Sequence, residues 1–346
     1  MGNLLAYSGT TTKIRAIKSR LLTDADYREL ANMSSVTEAL AWLKKHPAYR
    51  DLFANVDEFS LHRGDIEKML TNAIYTDFRK IYCFSPVEQR KFLDLYFHRY
   101  EVTILKTCMR MVFDHRDVTL NLKIFEEFFQ KHSDINLQKI SASRTIHEFV
   151  ENLKGSIYYH ALHRLSDIKD PTLWDYEMAM DLFYFRWLFR SGAKGIPKSQ
   201  LGHFQEAYGT KMDLLNVCWI YRSRHYFHMS DTEVYAHLIP VEHHLHTGDI
   251  RSLVEALDQD AFAAAISQTY YGKHYENYSV QNLEEAYHQI RQQVQHKAAA
   301  RDPYSIATVI SYLYDKEREI DKITTVLECV RYGLGQAETL KYINIK

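Results

Sequence analysis

Glycine and proline are scarce, with 12 and 6 copies in 346 residues. In a chain rich in helix formers, with little alternating apolar–polar pattern, that scarcity argues against β-rich architecture and for an all-α protein. The four cysteines, Cys83, Cys108, Cys218 and Cys329, stand far apart. None forms the close pair of a metal knuckle and all fall within helical apolar patterns, so they read as reduced core residues in a cytosolic compartment. An excess of one charge is also missing, since 43 Lys and Arg balance 44 Asp and Glu to give −1 at pH 7. Such a chain has no global attraction for nucleic acid or an anionic membrane. Long apolar runs are lacking as well: the most apolar stretch, Leu182 to Phe189, is too short to span a bilayer and contains Arg186. Met1 to Thr12 has no basic segment followed by an apolar core, and Ala6 stands where a myristoylation signal needs Ser or Thr. The expectation is a protein that does not cross a membrane.

What is present is globular: 46% hydrophobic and 25% charged residues. A chain of this length buries roughly three quarters of its unfolded surface and has room for two or three domains. The clearest helix starts at Asp302-Pro303, an N-cap followed by a first-turn proline. Ile306, Val309, Ile310, Leu313, Ile320, Ile323, Val326, Leu327 and Val330 then recur at three- and four-residue spacing until Gly333 and Gly335. The layout has two upstream counterparts, each beginning sixteen or seventeen residues before an acid. Ser85-Pro86-Val87-Glu88 precedes Glu101, Pro197 precedes Asp213, and Asp302-Pro303 precedes Glu319. The acidic positions 101, 213 and 319 are 112 and 106 residues apart, which reads as three copies of one helical unit. We expect units at 1–115, 116–228 and 229–346, with both chain ends lying partway through the repeat.

Other helices are marked locally. Lys13 to Leu22 reads as one, Thr23-Asp24-Ala25-Asp26 starts a second, and Ser35-Val36-Thr37-Glu38 and Thr145-Ile146-His147-Glu148 are capping boxes. Ser230-Asp231-Thr232-Glu233 resembles the start at Thr23, Asp170-Pro171 opens a further helix, and Ser191 to Pro197, with Gly192 and Gly195, reads as a linker. Apolar residues lie nearly all round the helix of Glu101, as Val102, Ile104, Leu105, Cys108, Met109 and Val112 show, so it should be sandwiched between others.

Motifs that carry chemistry are mostly missing from the sequence. Gly209-Thr210-Lys211 lacks the upstream glycine of a phosphate loop, no Gly-x-Ser-x-Gly elbow occurs, and His147-Glu148 is a capping element rather than half of a zinc helix. Glu242, His243, His244 and His246 carry metal-ligand chemistry, yet adjacent histidines point apart and no second cluster completes a shell, which favours a solvated loop. Tyr221, Arg222, Arg224, His225, Tyr226 and Phe227 mix bases and aromatics as single-strand binders do, although 25 Tyr and 17 Phe make core clusters common here. Glu101 and Arg110 lie nine residues apart, on opposite sides of a helix, so each should bond a neighbouring helix or a partner.

Several stretches together carry a family resemblance. They are Tyr7 with Lys13 to Thr23; Tyr100-Glu101 with Leu105-Lys106 and Arg110; Asp213-Leu214-Leu215-Asn216 with Arg222; and Lys316-Glu317-Arg318-Glu319 ending Arg331-Tyr332-Gly333-Leu334. In order, spacing and total length the chain resembles the C subunits of bacterial and archaeal V-type (A/V-type) ATPases, equivalent to the d subunits of eukaryotic ones. The resemblance implies a funnel of three helical units about a pseudo-threefold axis, without active site, cofactor or metal. It implies a peripheral place on the cytoplasmic face of the membrane, as one copy per complex and a monomer when isolated. There the funnel seats the central shaft of subunits D and F on the proteolipid ring and transmits torque for H+ or Na+ transport. The repeat-signature residues are Glu101, Asp213, Asn216, Glu317 and Glu319. Candidate partner contacts are the bases at corresponding helix ends, Arg15, Arg20, Arg110, Arg222, Arg224 and Arg331, set against solvated or intramolecular pairs worth under about 1 kcal/mol each. The competing reading is a free-standing helical module for single-stranded nucleic acid through Tyr221 to Phe227.

Overall fold

A computed structural model describes residues 2–57, 61–118, 120, 122, 124–276 and 278–345. Among them there is no strand, and the protein is all-α. In chain order the helices are α1 (Gly2–Lys18), α2 (Asp24–Ala31), α3 (Val36–Lys45), α4 (Arg50–Phe53), α5 (Arg63–Phe84), α6 (Val87–Phe113), α7 (Ile124–His132), α8 (Leu137–Ala142), α9 (Ile146–Glu151) and α10 (Tyr159–His163). There follow α11 (Leu173–Gly195), α12 (Lys198–His225), α13 (Asp231–Ala236), α14 (Thr247–Val254), α15 (Gln259–Gln268), α16 (Tyr270–His274), α17 (Leu283–Arg301), α18 (Ile306–Arg331) and α19 (Gln336–Tyr342). Long helices thus alternate with runs of short ones. No helix of the described chain is long and apolar enough to cross a membrane.

The chain forms two compact units. Unit 1 comprises residues 1–86, 121–128 and 308–346, and unit 2 comprises 87–120 and 129–307. The core of unit 1 joins α2 and α3 to α5 and α18: Leu30, Leu43 and Tyr49 are fully buried together with Ile323 and Val326. In unit 2, α6 packs along α11, and α12 along α17. There Leu214, Val217 and Ile220 of α12 meet Leu253, Phe262, Tyr271 and Ile290 in one core. Each fully buried Leu, Ile or Phe contributes about 1.5–3 kcal/mol over an exposed one. The six apolar residues spread round α6 are all buried, as a sandwiched helix requires. The centre of α12 goes further, with every residue from Ala207 to Leu214 buried, Lys211 included.

Local signals set most helix starts. Thr23 with Asp26, Thr172 with Asp175 and Ser230 with Glu233 are complete capping boxes, each worth about 1 kcal/mol. At Ser35 and Thr145 the hydroxyl caps as expected, but Glu38 and Glu148 reach one residue further back, to the amides of Ser34 and Arg144. Gly333, at φ +71°, ends α18, with the Leu334 amide on the Cys329 carbonyl, the left-handed cap that glycine favours.

Several expectations are corrected. Asp302 does not start α18; its amide closes α17 on Ala298, and α18 begins at Ile306. The Gln200 Oε1 atom, from α12, accepts the Ile306 amide at 2.9 Å, and Ser305 Oγ accepts that of Ala307. A tertiary side-chain cap replaces the local one. Ser85 likewise ends α5, its hydroxyl donating to the Ile81 carbonyl, and α6 starts at Val87. The helix expected from Lys13 to Leu22 runs instead from Gly2 to Lys18. The expected linker is helical to Gly195, because Gly192 packs against Phe204, leaving only Ile196 and Pro197 between α11 and α12. Asp170 adopts φ +52° ahead of the true cap, Thr172. Cys83 is exposed, whereas Cys108, Cys218 and Cys329 are buried free thiols.

Candidate functional site

The three acids picked out by the repeat, Glu101, Asp213 and Glu319, are 2%, 1% and 4% exposed. A buried carboxylate is costly unless its oxygens are hydrogen-bonded. Each meets a tyrosine hydroxyl brought by a short-helix segment of its own unit. On α18, Tyr49 donates to Glu319 Oε1, the Leu22 amide donates to Oε2 at 2.6 Å, and Lys316 Nζ reaches Oε1 at 2.7 Å and the Tyr49 oxygen at 3.0 Å. Lys316 is itself 3% exposed and lies 4.5 Å over the Tyr49 ring. On α6, Tyr158 donates to Glu101 Oε2 at 2.7 Å, His98 Nδ1 lies 2.5 Å from the same oxygen, and Ser133 donates to Oε1. On α12, Asp213 Oδ2 alone accepts three donors: the amides of His244 at 2.7 Å and Leu245 at 3.1 Å, and the Tyr271 hydroxyl at 2.9 Å.

Burial first, then the neighbouring carboxylate, pushes the phenols of Tyr49, Tyr158 and Tyr271 upward, so all three stay donors. Burial also raises the Asp213 carboxyl, opposed by its three donors. Glu101 and Glu319 have both oxygens engaged. Chemically these are fasteners: each ties a short-helix segment to the middle of a long helix.

Nine residues beyond each acid a second tie appears. Arg110 meets Glu177 of α11 at 2.6 Å, and Arg222 meets Glu284 of α17. The corresponding position after Glu319 is Glu328, which meets Arg63 of α5 at 3.3 Å, the same tie with its charges exchanged. The other candidate bases are placed as follows. Arg224 pairs with Asp231 at 2.7 Å and Arg331 with Glu328 at 3.2 Å. Arg15 is exposed on α1. Arg20, exposed just beyond α1, lines a cavity of ≈ 270 Å³ in unit 1 with Asn72, Asp77, Lys80, Tyr312 and Lys316. The Asn216 side chain pairs with both backbone groups of Ile239, at 2.9 and 3.0 Å, and the positions matching it are Ile104 and Lys322. Glu317 is half-buried on α18.

Two clusters differ from expectation. Tyr221 and His225 lie against each other at 4.4 Å and against Phe262 of the core, leaving Tyr226 and Phe227 as the exposed rings. The basic–aromatic string is therefore split between core and surface. The histidine loop is not simply solvated: His243 and His244 turn inward to Glu206 of α12, while His246 faces Glu242 at 3.9 Å. Burial lowers the His244 pKa, favouring its neutral ring. Sequence reasoning misses Glu206 and the three tyrosines. The tyrosines follow their acids by 57 and 58 residues in the first two cases, and positions 49, 158 and 271 recur at about the interval of the acids. Twenty-five tyrosines obscure that signal.

Known proteins match the chain along most of its length. Over 338 residues it is 20% identical to the A-type ATP synthase C subunit of Methanosphaera stadtmanae, covering 94% of this chain and 84% of the relative. With that of Methanocaldococcus jannaschii it shares 22% over 352 aligned positions, 98% and 85% of the two chains. With that of Methanosarcina mazei it shares 25% over 276, covering 77% and 71%. The family model of the ATP synthase (C/AC39) subunit matches residues 10–342, which include all three acid–tyrosine ties, and the chain belongs to that family.

Proposed function

We propose that this protein is a noncatalytic central-stalk subunit of an A/V-type ATP synthase. In this reading it is a socket that seats the shaft of subunits D and F on the membrane proteolipid ring, at the cytoplasmic face, and transmits torque for H+ or Na+ transport. Family membership across residues 10–342 carries the reading. The side chains add a physical reason. A torque coupler must resist shear between its helices, and three buried carboxylates, each bonded to a phenol and to further donors, fasten short helices to long ones where they would otherwise slide.

The same ties support three similar helical units, and the funnel about a pseudo-threefold axis is proposed from the family alone. The grouping that fits best is α6–α11, α12–α17, and α18 with α1–α5, each a long helix bearing the acid, a set of short helices and a second long helix. Arg15 and Arg20 are exposed near the end of α1, Arg110, Arg222, Arg224 and Arg331 take part in ion pairs, and all six stay proposed partner contacts.

Assembly of the complex with and without this chain tests the proposal. ATP hydrolysis by the soluble sector should persist without it, while ion transport is lost or the ring detaches. Coupled transport in its absence would sink the proposal, and so would unchanged shaft binding after Arg15 and Arg20 are both replaced by Glu, for the part that concerns those two residues.

A further inference from the structure

Glu206 and Gly209 lie three residues apart on one face of α12. The loop carrying His243 and His244 is laid against that face and held there. The His244 amide is bonded to buried Asp213, and its ring stacks on Tyr270 at 3.8 Å and 18°. His243 comes so near that a Cβ on residue 209 would collide with its ring, so only glycine admits it. Both Nε2 atoms converge on one carboxylate oxygen, Glu206 Oε2, at 3.3 and 3.7 Å. The three ligating atoms lie within 4.8 Å of one another. A tetrahedral ion with bonds of about 2.0–2.1 Å sets its ligand atoms roughly 3.3–3.4 Å apart, close to the 3.3 and 3.7 Å from Glu206 Oε2 to the two nitrogens. Solvent reaches neither Nε2 atom, and neither makes a hydrogen bond of acceptable geometry. Two buried nitrogens without such a bond are a standing cost that a shared cation removes.

We propose that Glu206, His243 and His244 form a site for one divalent transition-metal ion of the zinc class, with a coordination position left open on the solvent side of Glu206. Two imidazoles and a carboxylate suit Zn2+, and also Ni2+ and Cu2+, rather than Mg2+ or Ca2+. The 42% exposure of the Glu206 side chain provides the way in. The chain contains its own control. At the matching positions 112 residues earlier stand Asp94, Lys131 and His132. Carboxylate and one imidazole remain there, but a lysine replaces the other ligand, while the tie at Glu101 is built all the same. The metal site is thus an addition to the acid–tyrosine tie and not a requirement of it.

The test uses the tag-free full chain, stripped with chelator, since 18 histidines and any affinity tag give a weak background. Zn2+ is titrated against a chromophoric chelator, and Co2+ is added to read its visible absorption. One tight equivalent is expected, with a low-symmetry Co2+ spectrum. His243→Asn and His244→Asn should each weaken binding more than about 100-fold, beyond what loss of an outer contact does. Gly209→Ala, which keeps all three ligands but displaces the His243 ring, should weaken it roughly tenfold or more at unchanged helical circular dichroism. Should the histidine variants fail to fold, Glu206→Gln at the half-exposed position supplies the same test. Absence of a tight equivalent in the wild type, or unchanged affinity in Glu206→Gln, would overturn the assignment.

Discussion

Lys316 and Glu319 form a buried ion pair one turn apart on α18, closed by Tyr49 and the Leu22 amide. Their burial makes the consequences of cutting the pair asymmetric. Glu319→Gln keeps the shape but strands an ammonium that is 3% exposed, a loss of about 3–5 kcal/mol. Lys316→Met leaves the carboxylate its two other donors, and the cost falls to about 1–3 kcal/mol. The double variant carries neither charge, so it should be more stable than Glu319→Gln alone, with a coupling of roughly 2 kcal/mol. Urea unfolding followed by circular dichroism gives the three differences at constant slope. Native-state hydrogen exchange at the Leu22 amide, whose acceptor is Glu319 itself, reports the local part. A loss below about 1 kcal/mol for Glu319→Gln, or strict additivity in the double variant, would refute the reasoning.

Two glycines near the end of α11 make a paired test. Gly192→Ala drives a Cβ into the Phe204 ring and should cost about 1–3 kcal/mol, whereas Gly195→Ala meets open space and should be neutral or slightly stabilising in thermal melts. Ellman's reagent should find one fast thiol, Cys83. Burial pushes Cys108 up to about 12 and Cys218 to about 11, so a second fast thiol before unfolding would contradict the packing. Burial depresses the Lys322 ammonium. The folded chain then releases that proton before the unfolded chain does, and stability climbs as pH rises from the depressed value to the usual lysine range. Lys322→Met should raise Tm at pH 7 and flatten that climb, and a melt series across pH reads both.

What is legible in the sequence is local or periodic. Thr23, Thr145 and Ser230 announce their helices because a cap and its glutamate or aspartate lie within four residues. The acids at 101, 213 and 319 stand out by interval, and the apolar circuit of α6 foretells its burial. What stays hidden depends on distant side chains. Asp302-Pro303 has every local mark of a start, yet Gln200, over a hundred residues away, supplies the cap that places α18. The tie through Glu328 and Arg63 escapes a search for a third arginine, which settles on Arg331, because its charges are exchanged. Glu206 gives no sign of joining the two histidines, since nothing in its neighbourhood marks it as a ligand and the approach depends on the bare face at Gly209.

The bond between Tyr49 and Glu319 spans 270 positions of the chain. On the ribosome, with synthesis at about 5–20 residues per second, the first five helices wait roughly 10–45 s after they emerge before α18 is made to receive them. Unit 2 is drawn almost wholly from the stretch between, so it can be complete while Leu30 and Leu43 still lack the part of their core that α18 supplies. Unit 1 is closed last, by the last long helix. A shortened product that stops before α18 would therefore keep the later-made unit sound and expose the earliest-made one, which makes the early helices the segment most dependent on chaperone cover during synthesis.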